Sequence, residues 1–176
     1  MIKGKKIGSR ALEENELEIL LKWRNNPNYR QYFREYRELS MTHQKNWYIN
    51  KVINDNSTIM LSIIELETGE LIGVCGLCYI NWINGTADLS LYIGKNDCYI
   101  DEEGLAEETC KLLFKYAFDE LRLNKIWTEI YTIDEKKINL YKKLGMKIDG
   151  ILRENYYHDG KFIDSYIFSI LRKEFN

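Results

Sequence analysis

Between residues 57 and 132 the chain passes through three strand-patterned segments, one long helix pattern and a fourth strand, and few folds accept that order. The segments "STIMLSIIE" (57–65), "LIGVCGLCYIN" (71–81) and "TADLSLYIG" (86–94) are separated only by the turn sequences "ETGE" and "WING". Such short links join antiparallel neighbours. A helix pattern over 104–121 and the strand "KIWTEIYT" (125–132) follow. A strand, a crossover helix and another strand make a parallel pair, and the strand ends must open beside the N-terminus of the helix at 104. A ligand site is expected there.

The flanks extend this core. "KIGSRALE" (5–12) reads as a first strand, and "ENELEILLKWRNN" as a helix with Leu17, Leu20 and Leu21 on one face, ended by Pro27, the only proline. "NYRQYF" reads as a second helical region, and Ser40 as the N-cap of a third helix, "MTHQKNWYINKVIND", with Trp47, Tyr48 and Val52 on one face. Toward the end come the helix "DEKKINLYKKLG", closed by Gly145, and two strands at 146–155 and 162–172 around "HDGK". The expected fold is α/β of the α+β kind: a mixed, mostly antiparallel seven-stranded sheet flanked by helices on both faces, in one domain over 1–176.

Composition narrows the function. With 176 residues, 45% hydrophobic and 30% charged, the chain can bury an ordinary core. A formal charge of -2 supplies no general basic field, so neither nucleic acid nor an anionic membrane is an expected partner. No apolar run approaches 18 residues and "MIKGKK" is not followed by an apolar region, which points to a soluble, cytoplasmic protein. "CGLC" at 75–78 lies in a strand pattern that sends Cys75 and Cys78 to opposite faces, and His43 and His158 are the only histidines. Reduced thiols are expected, with no metal and no redox chemistry.

The stretch "DEEGLAEET" (101–109) opens the helix after the third meander strand, and five of its nine residues are carboxylates. Acidic residues suit any helix start, because they complement the dipole and the free amides. The alternative is functional: Gly104, Leu105 and Ala106 offer backbone amides to a phosphate, with side chains small enough not to block it.

The order of elements, "LSLYIG" before the loop and "INLYKKLGMKIDG" one strand later together resemble the GCN5-related N-acetyltransferase (GNAT) superfamily over nearly the whole chain. "LEENELEILLKWRNN", "ETGELIGVCGL" and "RENYYHDGKFIDSYIFSIL" are most similar to the branch of ribosomal-protein, spermidine and nucleotide-amino-sugar acetyltransferases. The resemblance implies acetyl-CoA as co-substrate, with its pyrophosphate on the amides of Glu103, Gly104, Leu105, Ala106 and Glu107. The family's Arg/Gln-x-x-Gly-x-Gly/Ala is matched here at Gly104 and Ala106, with Asp101 in the first position and Glu102 and Glu103 replacing a glycine and a base. The resemblance puts the pantetheine arm along the backbone of Tyr92, Ile93 and Gly94, where the strands splay, and sets Asp134 at the family's Asn position. Lys137 and Lys143, with Lys111 and Lys115, are candidates to offset the acidic loop, or are ordinary solvated lysines.

Acetyl transfer to an amine requires a neutral amine and a proton for the leaving thiolate. By resemblance Tyr141 supplies that proton, though it also fits a core position beside Ile138 and Leu144. Asp88 and Glu129, carboxylates in apolar strands, are candidates for the base or plain structural acceptors. No cysteine stands beside a histidine as an activated nucleophile, so direct transfer in a ternary complex is expected. The acceptor, a small-molecule amine, is expected between Arg30, Tyr32, Phe33 and Arg34 on one side and Trp82 and Asn84 on the other. Arginines among aromatics suit a nucleotide-linked amino sugar, the first choice. A protein N-terminus or a polyamine is the alternative, the latter calling for carboxylates such as Glu13, Glu14 and Glu16. A non-catalytic binding module whose acidic loop excludes CoA is the rival from another class, and a homodimer is an open assembly.

Overall fold

The computed structural model describes residues 1–175. One sheet runs through it in the order β1-β2-β3-β4-β5-β6-β8-β7. Its strands are β1 (Ile2–Lys3), β2 (Ile7–Ala11), β3 (Ile59–Glu65), β4 (Leu71–Asn81), β5 (Thr86–Ile93), β6 (Lys125–Tyr131), β7 (Lys147–His158) and β8 (Lys161–Leu171). The sheet therefore has eight strands, not the seven expected. The extra one, β1, is a two-residue strand that folds back on Ser9 and Gly8, too short to produce a period in the sequence.

Every neighbouring pair is antiparallel except β5 and β6, which run parallel. Their pairing covers three residues only, from Thr86↔Lys125 to Asp88↔Trp127. Beyond Asp88 the two strands part, and the chain between them makes the crossover expected from the sequence: α4 (Leu105–Lys115) and a wider π turn, Tyr116–Glu120. Leu105, Ala106, Thr109, Cys110, Leu113 and Phe114 turn inward from α4, at the spacing that puts one helical stripe on a sheet. The third helix ends the same way, α3 (Met41–Trp47) continuing as a π turn over Tyr48–Ile53.

Local chemistry sets the boundaries. Ser40 caps α3 by accepting from the His43 amide at 3.3 Å. Helix α5 (Glu135–Lys143) starts at Asp134, whose carboxylate accepts from the Lys137 amide, and ends with Gly145 at φ +81. There the Gly145 amide reaches the Lys142 carbonyl and the Met146 amide the Tyr141 carbonyl, which satisfies two free carbonyls of the last turn. In the β7–β8 turn both central residues, Asp159 and Gly160, have positive φ, matching the twist of a two-residue hairpin. Pro27 ends α1 (Leu17–Asn25) as expected, with Asn26 before it extended at ψ 119, and it also opens a new short helix, α2 (Pro27–Arg30), capped by Asn26, in which proline sits first, where its missing N–H is not needed. The helix expected over "NYRQYF" stops at Arg30 for want of further helical turns.

Cys75 and Cys78 both lie on β4; Cys75 is fully buried and Cys78 partly. All four cysteines are free thiols. Burial pushes Cys75 up to about 12 and Cys78 up to about 11, so neither is a ready thiolate.

Gly94, at the end of β5, is where the backbone passes closest to the core. A Cβ there would lie 2.0 Å from the indole of Trp23. Gly94→Ala is expected to lower stability by about 1–3 kcal/mol, the usual cost of overpacking, read as a fall in the urea midpoint; an unchanged midpoint would mean that Trp23 yields freely.

Candidate active site

The parting of β5 and β6 builds a cleft whose wall opposite the sheet is the first turns of α4 and α5. Two buried polar side chains in this region have an atom without a hydrogen-bond partner, and a buried lysine lies one turn from one of them. The Tyr141 side chain is fully buried, its ring 6.3 Å from that of Phe168, and its hydroxyl has no hydrogen-bond partner. Asp88 Oδ1 is buried and unpartnered as well, while Oδ2 accepts from Arg34 Nη1 at 2.7 Å. Lys137 is buried one helical turn before Tyr141, its Nζ 5.1 Å from the Tyr99 ring. Orphaned groups of this kind cost stability, which fits a place shaped for a ligand.

Electrostatics follow from burial. Burial pushes the Tyr141 phenol well above its ordinary value, and Cys110, Asp134 and Asp88 add to the shift. The hydroxyl therefore keeps its proton throughout the physiological range. Burial also raises Asp88, with Arg34 pulling partly back. It lowers the Lys137 ammonium, against the attraction of Asp134 and Asp88. Glu129 is the second carboxylate at the cleft. Its Oε1 accepts from Asn155 Nδ2 at 2.5 Å and Ser165 Oγ at 2.7 Å, and its Oε2 lies 3.9 Å from Arg34 Nε. Of the two expected bases, Asp88 keeps a buried oxygen with no hydrogen bond, and Glu129 Oε2 has only the distant Arg34.

At the outer end, a cleft of 350 Å³ lies between the α4 loop and α5, lined by Ile100, Gly104, Lys136 and Asn139 among others. Gly104 adopts φ +91, and a Cβ there would meet nothing within 4 Å, so the space over this residue is open. The amides of Leu105 and Ala106 are held by Asp101, whose carboxylate accepts from them at 2.7 and 2.6 Å. Glu103 gives its carbonyl to Lys6 Nζ, and Glu107 is neutralised by Lys111 at 2.7 Å and Lys143 at 2.5 Å. Lys111 and Lys143 do offset the loop, whereas Lys115 pairs with Asp119 a turn further along.

The strand edge of Tyr92, Ile93 and Gly94 is also occupied from within. The Ile93 amide donates to the Tyr99 carbonyl, and the Ile93 carbonyl accepts from the Tyr29 hydroxyl at 2.9 Å. The Gly94 amide pairs back to Ile72 on β4, and Tyr92 is buried under Trp23, Tyr29 and Phe33. Asp134 accepts from the Tyr99 hydroxyl at 2.6 Å. Tyr99, Lys136 and Asn139 escaped the sequence reading, and Asp101 entered it only as the first position of the loop motif, not as a partner of the helix amides. The signal for Asp101 was its place four residues before the first helical amide. For Tyr99 it was only the turn dipeptide Asn96-Asp97, which marks a loop without saying where its side chains go.

On the acceptor side the structure gathers Tyr32, Phe33 and Arg34 near the cleft, with Tyr32 stacked on Tyr99 at 4.8 Å. It does not bring Trp82 and Asn84 to them. Both lie in the β4–β5 turn, at the paired end of β5, where Trp82 Nε1 donates to the Asn56 carbonyl and the Asn84 amide to Asn81. The strand direction decides this: β5 runs from that turn toward the cleft. Arg30 is bonded to Glu38 and takes no part in the Arg34–Asp88 pair.

A model of the acetyltransferase (GNAT) domain matches residues 7–147, four fifths of the chain. The chain belongs to the GNAT acetyltransferase family. Among its relatives are an uncharacterized N-acetyltransferase p20 of Bacillus licheniformis, 29% identical over 94% of this chain and 93% of the relative. Another is spermidine N(1)-acetyltransferase of Vibrio cholerae, 28% identical over 94% and 93%. The crystal structure of the Vibrio cholerae spermidine N-acetyltransferase in complex with CoA and spermine matches 98% of this chain and 99% of that one, with a TM-score of 0.88 and 26% identity. The eight-stranded mixed sheet is accordingly the GNAT fold, and the chain is an acetyl-CoA-dependent N-acetyltransferase, not a module that has given up its cofactor.

The cleft fits this donor: it has an anion-binding helix start at Leu105 and Ala106, an open glycine beside it, a strand edge at Ile93 and a protonated phenol at its inner end. When bound, acetyl-CoA supplies the thioester carbonyl and a thiolate to leave. Burial keeps the proton on the Tyr141 hydroxyl, and one Asp88 oxygen is left without a hydrogen bond. Since the Tyr141 hydroxyl makes no bond in the fold, Tyr141→Phe is expected to leave stability unchanged or raise it by about 1 kcal/mol. Turnover should fall roughly 100-fold with donor affinity retained. Steady-state kinetics with calorimetric CoA binding checks this, and full turnover by the variant would remove the acid role.

Proposed function

We propose that the acceptor is a polyamine-class primary amine, acetylated by direct transfer. What carries this reading is the state of the arginines. A nucleotide sugar would need guanidinium forks free for its phosphates, but Arg30 is paired with Glu38, Arg34 with Asp88 and Arg37 with Glu35. The segment that looked cationic in sequence is neutralised by Glu35 and Glu38 within it and by Asp88 on β5. What is left open at the cleft is one carboxylate oxygen of Asp88, half-buried Glu129 beside it, and aromatic faces.

Those faces suit an ammonium ion. Tyr131 and Tyr156 stack at 3.8 Å, and the Tyr156 hydroxyl donates to the Gln31 carbonyl, tying the β7–β8 hairpin to the segment after α2. Tyr79 already carries the Arg34 guanidinium over its ring at 5.9 Å. Carboxylates with aromatic walls attract organic cations by charge and by the ring quadrupole. The spermidine acetyltransferase relatives support the same class over an amino sugar.

In this reading Asp88 accepts the proton of the incoming ammonium, its carboxyl made more basic by burial, while Arg34 and Glu129 position it. A panel of spermidine, a peptide with a free N-terminus and a nucleotide-linked amino sugar, followed by CoA release, tests it. Spermidine is expected to lead in kcat/KM by at least about 100-fold, and Asp88→Asn to lose roughly 100-fold with spermidine at unchanged CoA affinity. A lead for the peptide or sugar, or full activity of Asp88→Asn, would overturn it.

The outer edge of β7 is unpaired, with Ile148, Ile151 and Leu152 exposed along it, and this is the face we assign to a homodimer. Sedimentation velocity at micromolar protein gives twice the chain mass if the edge is so used, and the single-chain mass if it is not.

A further inference from the structure

The groups that this enzyme offers to its donor are not idle in the free protein. Three of them are bonded to one short segment, Lys95–Asp101, that links β5 to α4. The amides of Leu105 and Ala106, at the helix start, hold the Asp101 carboxylate. The strand-edge amide of Ile93 holds the Tyr99 carbonyl. The carboxylate of Asp134, at the start of α5, holds the Tyr99 hydroxyl. An anion on the helix amides and a chain bonded to the strand edge are what a diphosphate and its attached arm would otherwise supply.

The segment is also held in a conformation it would not choose. Asn96, Asp97 and Tyr99 all have positive φ, at +56, +50 and +63. Asn and Asp tolerate the left-handed region, but a bulky tyrosine there is an outlier that persists only when its surroundings enforce it. The enforcing contacts come from the acceptor side: the Tyr29 hydroxyl accepts from the Tyr99 amide at 3.0 Å, and the Tyr32 ring stacks on the Tyr99 ring.

We propose that Asp101 and Tyr99 determine donor affinity by acting as an internal stand-in for the donor, so that CoA binds only as the Lys95–Asp101 segment releases the α4 amides, Ile93 and Asp134. The acidic start of "DEEGLAEET" thereby has a role: Asp101 fills the anion site of the free enzyme, while Glu107 is ion-paired, Glu108 accepts from the Lys5 and Lys6 amides, and Glu102 and Glu103 are exposed. Tyr29 and Tyr32 connect this release to the acceptor-side segment, so the donor and acceptor sites share one moving part.

The test is calorimetric titration with coenzyme A itself, which cannot turn over. Asp101→Ala removes the competing carboxylate and is expected to tighten CoA roughly 5- to 30-fold, the range of an ordinary capping bond. Tyr99→Phe removes only the bond to Asp134 and is expected to tighten it roughly 2- to 10-fold. If Asp101→Ala does not fold, Asp101→Asn keeps a capping acceptor without the charge and must still bind CoA more tightly. Stopped-flow fluorescence of the tryptophans supplies a second readout: the observed rate should level off with CoA concentration in the wild type and rise linearly in Asp101→Ala. Unchanged or weaker CoA binding in both variants, or a wild-type rate that never levels off, would overturn the proposal.

Discussion

The site depends on two parallel strands that stay together for three residues and then separate. Thr86–Asp88 pair with Lys125–Trp127, and from Leu89 onward the backbone edge of β5 has no strand beside it. A sheet cannot leave such an edge bare in its own interior without another partner. Here Thr128 Oγ1 takes the Leu89 carbonyl at 3.2 Å, and Tyr29 and Tyr99 take the two sides of Ile93. The cleft exists because side chains and a loop, not a strand, complete the edge, and what a loop completes a ligand can compete for.

The charge inside that cleft is a second consequence of the same opening. Asp88, Asp134, Lys137, Tyr99 and Tyr141 come from two strand ends, a loop and a helix, and all are largely out of water. Each would be expensive alone. Asp134 is satisfied by Tyr99 and the Lys137 amide, and Asp88 by Arg34 on one oxygen. The Tyr141 hydroxyl and the other Asp88 oxygen are left over. The fold concentrates its unsatisfied polar groups where donor and acceptor would meet, and satisfies them almost everywhere else.

Much of this was legible in the chain. The strand periods of β3, β4 and β5, the turns between them, Ser40 and Gly145 as caps, and the crossover all came from local rules. The helix start at Gly104 and Ala106 came the same way, whereas Tyr141 was placed only through resemblance to the family. What misled was composition read without partners. Arg30 and Arg34 looked like a phosphate site until each was found with its own carboxylate, Glu38 and Asp88. Trp82 and Asn84 were expected to close the acceptor side, but both are engaged within their own turn and its neighbour, Trp82 with the Asn56 carbonyl and the Asn84 amide with Asn81.

The sequence by itself determined the order of elements, the one parallel crossover and hence the position of a helix start beside open strand ends, because period and turn length are local properties. Only the tertiary structure decided what the acidic loop does. Whether a carboxylate repels a phosphate, turns to water or folds back onto its own helix depends on the direction of a few amides and on a tyrosine held by two others across the cleft. Those are long-range contacts, and no local pattern encodes them.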